Sequence, residues 1–393
     1  MSQVLFVAST DLTADTPRGP RKDYRVIADV LGASVIDYSA VRADPSLRLL
    51  ARVVGMPVAQ AWLAFRRRHT FEAILTDGEH VGIPLALFLK LAGARVPHVT
   101  IGHRITAPKK RPFFRRLKVH THISRIALHA RRQHELGIHE LGIAPEKLAL
   151  VPYQVDTDFW QPQPLQEERL VCSAGLEFRD YPTLVTAVEG LDVRVVIGAA
   201  SHWSKRRNTA AGAQPTNVTV DRFDYLALRD LYARAAVVVV PLDETDFQAG
   251  VTTILEAMSM AKPVIVTHTE GQTDVVQDRR TFTRGATPRA RPSSFLANLA
   301  DRAGVALEPS GFYVPPGDHQ TLRRAIEYLL AQPDERKRLG LAGRRAVERL
   351  TRVDQYAARL QQLIGESIRE ARASSTDLEV LRTTPAGIDS ACL

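Results

Sequence analysis

The sequence predicts an α/β protein made of two doubly wound, Rossmann-like domains that face each other across a cleft. Two patterns carry that expectation. Short β-branched runs alternate with longer amphipathic segments, and a proline-bearing connector divides the runs into two sets. The length agrees, because 393 residues exceed one ordinary core at roughly 100–200 residues per domain.

In the first set, strands are expected at 4–9 (VLFVAS), 34–38, 72–77, 98–102 (HVTIG), 125–129 and 148–153. The second set comprises 169–175 (RLVCSAG), 193–198, 217–221, 236–242 (AVVVVPL), 263–268 and 311–315. Between them PYQVDTDFWQPQPLQEER reads as a linker, which places the domains at 1–165 and 166–350. A helix over 351–372 is expected to pack back on the first domain. Residues 373–393 lack a sustained period and read as a loosely ordered tail. The 278–310 stretch is a long Arg- and Pro-containing connection in which SSFLANLADRAG is able to form a helix.

Composition narrows the class. The hydrophobic share is 45% and the charged share 24%, an ordinary globular balance. Cys172 and Cys392 provide neither a disulfide framework nor a metal-ligand spacing, so no metal is expected and a reducing cytoplasm fits. The N-terminal apolar run meets Asp11, and the run from Val81 is broken by Lys90, too early for a bilayer span. The expected location is the cytoplasm or the inner face of a membrane.

Net charge is +9, with no acidic residue between Glu79 and Glu135 and a basic run at Arg104, Lys109, Lys110, Arg111, Arg115, Arg116 and Lys118. With Phe113 and Phe114 inside the run, this segment suggests an anionic or membrane-associated partner. No nucleic-acid module accompanies it, so no nucleic acid is expected. A solvated basic face is the plain alternative.

The chemistry concentrates in DFQAGVTTILEAMSMAKPVI, residues 246–265. Val251, Ile254, Leu255 and Met258 fall on one helical stripe, which puts Thr252 and Glu256 on a flank one turn apart. Gly250 lets a ligand approach the backbone, and the first helical amides favour a pyrophosphate. Glu256 lies deeper, where a carboxylate suits a ribose diol. An amphipathic helix with a solvated Glu is the competing reading. Arg179, shortly after Gly175 at a strand end, is a cation for a leaving diphosphate or a solvent-facing turn residue. His80 and His103 each follow a predicted strand at the cleft end of the first domain, suited to sugar hydroxyls or proton movement. There is no Gly-x-Gly-x-x-Gly after the first strand, no phosphate loop, no His-Glu-x-x-His and no Gly-x-Ser-x-Gly. Dehydrogenases, kinases, zinc proteases and serine hydrolases lose ground accordingly.

VDTDFWQP, LEAMSMAKPVIVT with GQTDVV, and GFYVPPGDHQTLRRAI together resemble the retaining glycosyltransferases of family four, over most of the chain. The resemblance implies a GT-B fold, a nucleotide-diphosphate sugar (UDP-linked by expectation) as co-substrate, no cofactor, no metal, and a metal-independent hexosyl transfer to an acceptor the sequence does not identify. It implies Glu256 on the ribose, Gly250, Val251 and Thr252 with Gly175 around the diphosphate, Arg179 on the diphosphate, Gln248 on the sugar, and His103 near the reacting sugar. The basic stretch puts Arg104, Lys109 and Lys110, with His80, on the acceptor side. Two departures stand out. Leu176 and Glu177 follow Gly175 where an Arg is common, which turns attention to Lys205 and Arg206 as replacement cations, and Gln248 replaces the usual glutamate. A silent nucleotide-sugar-binding protein and a GT-B epimerase or phosphorylase are the alternatives.

Overall fold

The computed structural model describes residues 3–12, 18–199, 214–278, 295–302 and 304–383, and among these it has two six-stranded parallel sheets. The first holds β1 (Val4–Val7), β2 (Ser34–Ile36), β3 (Ala73–Thr76), β4 (His98–Gly102), β5 (Arg125–Leu128) and β6 (Leu148–Leu150), in the order β2-β1-β3-β4-β5-β6. The second holds β7 (Leu170–Ala174), β8 (Arg194–Gly198), β9 (Val218–Asp221), β10 (Val237–Val240), β11 (Val264–Thr267) and β12 (Gly311–Val314), in the order β12-β11-β10-β7-β8-β9. Each expected run therefore forms a strand. β10 is buried along its whole VVVV length, as a central parallel strand covered on both faces must be, while the edge strand β9 is partly exposed.

In both sheets the chain reverses direction beside its first strand. β1 lies between β2 and β3, in the register Val4↔Ala73 to Val7↔Thr76, and β7 lies between β8 and β10, with Val237↔Val171. Ligands bind beyond the carboxyl ends of strands at such switch points. The topology thus singles out the loops after β1 and β3 on one side and after β7 and β10 on the other.

The connector is stapled in place. The Val155 amide donates to Thr351 O at 2.9 Å, and the Val353 amide donates to Val155 O at 3.1 Å. Asp156 is buried and accepts from the Arg21 amide at 2.8 Å and from its Nε at 3.1 Å. Trp160 is buried against Tyr232 and Tyr225, and Arg344 Nη1 donates to the Trp160 and Ser259 carbonyls, each at 2.7 Å.

The final helix, Val353–Thr383, buries Tyr356, Leu360 and Ile364 with Phe6 and Ile101 of the first domain. It continues eleven residues beyond Arg372, into the stretch read as a loose tail. No Pro or Gly interrupts the chain between Arg372 and Pro385, and backbone hydrogen bonding needs no apolar period to propagate. Residues 384–393 lie outside the described residues, as does most of the 278–310 connection, whose described part contains a helix at Phe295–Arg302 with Leu296 and Ala300 in the core. No helix among the described residues is long and apolar enough to cross a membrane.

The helix Pro333–Leu350 packs against the C-terminal end of the helix Val251–Ser259 through Gly340, where a Cβ would lie 2.0 Å from the Ala261 carbonyl oxygen. Backbone cannot yield there as a flexible side chain would. Gly340→Ala is expected to destabilise by about 1–3 kcal/mol through overpacking, seen as a lowered urea midpoint, whereas Leu341→Ala at the neighbouring exposed position should stay within about 0.5 kcal/mol of the parent.

Candidate functional site

The second-domain wall is built on the loop after β10. Gly250 takes a left-handed conformation, φ +76°, and the helix Val251–Ser259 starts from it with no side-chain cap on its first amides. Val251, Ile254, Leu255 and Met258 are buried in the domain core, as their spacing requires. Thr252 is exposed and lines the cleft cavity together with Glu256. Glu256, only 8% exposed, accepts from Tyr232 Oη at 3.2 Å. Burial pushes its carboxyl up to about 8, with Tyr232 and Arg179 pulling in the opposite direction.

Arg179 is buried at 4% exposure. Its Nε donates to Ala174 O at 2.9 Å, Nη1 to Glu177 O at 2.8 Å and Nη2 to Thr253 Oγ1 at 3.1 Å. The guanidinium runs against two glycines. A Cβ at Gly175 would lie 2.5 Å from Nη2, and one at Gly250 would lie 3.2 Å from Nη1. The cation thus props the turn from behind and raises the positive potential at the helix start through Gly250.

Gln248 is placed elsewhere. It is buried with Pro152, Tyr153, Leu255 and Thr351 in a separate small space, and its Oε1 has no hydrogen-bond partner. The turn 269–272 presses on this segment, since a Cβ at Gly271 would stand 2.2 Å from the Phe247 amide nitrogen, and Gln272 Nε2 holds Ala249 O at 2.8 Å. These contacts set the loop so that Gln248 does not reach the cavity to which Glu256 contributes. Lys205 and Arg206 lie outside the described residues.

The first-domain wall gathers the ends of β1, β3 and β4. Ser9 Oγ donates to Asp77 Oδ1 at 2.6 Å, and the Ser9 amide also donates to that carboxylate. His80 Nε2 is 2.5 Å from Ser9 Oγ, so with the serine proton spent on Asp77 the imidazole is the donor. His103 Nε2 donates to the Asp77 carbonyl at 3.1 Å, which leaves Nδ1 of a neutral ring as its acceptor. Burial pushes Asp77 up to about 6 against the Ser9 hydrogen bonds, and burial likewise raises Asp23, which lines the same cavity. Behind His103 lies the buried ring of His129, held down at about 3 chiefly by burial.

Glu79 anchors the loop after β4. It accepts from the amides of His103 at 3.3 Å and Arg104 at 2.7 Å and pairs with Lys110 at 2.8 Å. Burial opposes its ionisation, but His103 and Lys110 outweigh that and hold it at about 2. Arg104 instead crosses to the second domain, ion-paired with Asp246 at 2.8 Å and lying over the Phe247 ring. Thr106 Oγ1 donates to the same Asp246 at 2.5 Å. Lys109 is exposed and does not line the cavity. The structure therefore brings His80 and His103 to the cleft, but uses Arg104 and Lys110 as struts.

The cavity between the walls has a volume of about 550 Å³. Its lining includes Ser9, Lys22, Asp23 and Asp77, which the sequence reading passed over. Asp77 directly follows β3, at the same strand end that drew attention to His80. Lys22 and Asp23 open the first helix after β1, the loop that the switch point singles out.

Residues 178–332 match the family model described as glycosyl transferases group 1. Over the whole chain the fold is GT-B. HepE of Anabaena in complex with UDP superposes with a TM-score of 0.62 at 13% identity, covering 93% of this chain and 100% of that one. A sucrose-phosphate synthase of Thermosynechococcus elongatus gives 0.61 at 18% identity over 94% and 89%. An α,α-trehalose 6-phosphate synthase of Burkholderia multivorans gives 0.62 at 12% identity over 99% and 100%. At such identities the likeness is one of fold. No curated protein matches the chain in sequence.

A carboxyl raised from 4.5 to about 8 on folding penalises the folded state as pH climbs between those values, because folding must then take up a proton. Glu256→Gln removes that linkage. The stability difference between Glu256→Gln and the parent should therefore shift in favour of the variant from pH 5 to pH 8 in urea denaturation. A difference independent of pH would contradict the assignment.

Proposed function

We propose that the protein is a retaining, metal-independent glycosyltransferase of family four that transfers a hexose-type sugar from a UDP-sugar. One observation carries the reading: an uncapped helix start at a left-handed Gly250, with Glu256 one to two turns deeper on the same cavity. The group 1 match over this segment and the UDP and UDP-glucose held by HepE of Anabaena support it.

In this reading the amides of Gly250, Val251 and Thr252 hold the diphosphate, with Arg179 behind them and Gly175 leaving room for its guanidinium. Glu256 accepts the ribose hydroxyls and releases its proton to do so. His103, fixed through Glu79 and Asp77, faces the reacting sugar. The acceptor oxygen attaches to the anomeric carbon on the face from which the diphosphate departs, and a phosphate oxygen takes the acceptor proton. Gln248 lies outside the cavity, so the reading gives it no contact with the sugar. The protein works in the cytoplasm or on the inner face of a membrane.

Thermal-shift titration with UDP and UDP-sugars tests the reading. A ligand at 100 times its Kd stabilises by about 2.7 kcal/mol. Glu256→Ala is expected to weaken UDP and UDP-sugars alike, by about ten- to a hundredfold for a charge-assisted ribose contact, whereas Gln248→Ala should leave UDP affinity within a factor of about 3, as befits a side chain outside the site. No response to any nucleotide would sink the proposal. Binding without transfer in an acceptor extract would favour a silent nucleotide-sugar-binding protein.

A further inference from the structure

The acceptor half of the cleft has a chemistry that the basic segment conceals. Between Arg104 and Lys118 the sequence is strongly cationic, yet no residue of that segment lines the cavity. Arg104 is committed to Asp246 and Lys110 to Glu79, while Arg111 pairs with Glu140 at 3.1 Å. Among the described residues, two cations of the Lys/Arg type line the cavity, and both are engaged by other side chains. Arg21 is held by Asp156, Asp158 and Asp354, each at 3.0 Å, and Lys22 donates to Tyr225 Oη at 2.9 Å while lying over its ring.

What the wall presents instead is Asp23, Asp77, Ser9, His80 and His103 above an apolar floor that includes Phe6, Ile101 and Tyr356. Carboxylates accept hydrogen bonds from hydroxyls more strongly than neutral groups do, and an ionised Asp77 repels any phosphate or carboxylate brought against it. From this geometry we infer that the acceptor enters the first-domain half of the cleft as an uncharged, hydroxyl-rich sugar, with Asp77 receiving one of its hydroxyls and the site excluding anionic groups. The inference rests on the transferase reading for the word acceptor, and on the wall itself for the charge preference.

The test is ligand-observed NMR titration of the full chain with methyl α-glucoside and methyl α-galactoside against glucose 6-phosphate and glucuronate, run with and without saturating UDP. The uncharged glycosides should bind at least tenfold more tightly than the anionic sugars. Asp77→Asn should weaken the glycosides by tenfold or more while leaving the Kd for UDP unchanged. Ser9→Ala, which releases the Asp77 carboxylate without removing it, should shift glycoside affinity less than Asp77→Asn and serves if that variant does not fold. Equal or tighter binding of the anionic sugars, or no binding of either set, would overturn the inference. Loss of UDP binding alone would instead count against the transferase reading and leave the charge preference standing.

Discussion

The guanidinium of Arg179, buried beneath Gly175 and Gly250, is the contact on which the second-domain half of the cleft depends. It accounts for three features together. Both glycines need positive φ, both must lack a side chain where the arginine passes, and the carbonyls ending β7 gain a charged donor. The helix that follows then begins without a side-chain cap, backed by a cation that water does not screen. The sequence expects Arg179 at the diphosphate; the structure places its guanidinium against Gly175 and Gly250, donating to Ala174 O, Glu177 O and Thr253 Oγ1.

The relation between the domains is fixed at two levels. On one side the connector is sewn to the start of the final helix by Val155, and Arg21 bridges the buried Asp156 to Asp354. On the other, Asp246 receives Arg104 and Thr106, and Asp274 receives Arg131 at 2.6 Å. Asp246 itself lies in the loop after β10, and Arg104 and Thr106 in the loop after β4. The start of the basic segment is thus part of the joint between domains through Arg104 and Thr106, and none of the segment's side chains lines the cavity.

The first-domain wall is a chain of hydrogen bonds from His80 through Ser9 to Asp77, with His103 on the Asp77 carbonyl and Glu79 holding the loop above. No member is in a position to move alone. Such a network orients hydroxyl-bearing ligands because every donor and acceptor is preassigned.

Period and turn chemistry were legible without coordinates. The β-branched runs mark all twelve described strands, the connector falls between the two sets, and the stripe Val251, Ile254, Leu255 and Met258 correctly leaves Thr252 and Glu256 on the cleft flank. Spacing along one element fixes which side chains share a face, and that information is local. The direction of Gln248, the commitment of Arg104 and Lys110, and the meeting of Ser9 with Asp77 were decided only by tertiary structure. Those pairings join residues 68 positions apart for Ser9 and Asp77 and 140 apart for Thr106 and Asp246, and they depend on how sheets and loops pack. The sequence by itself determined two parallel sheets and a helix that starts at Gly250 without a side-chain cap, whereas the packing of distant loops decided which charges face the cavity.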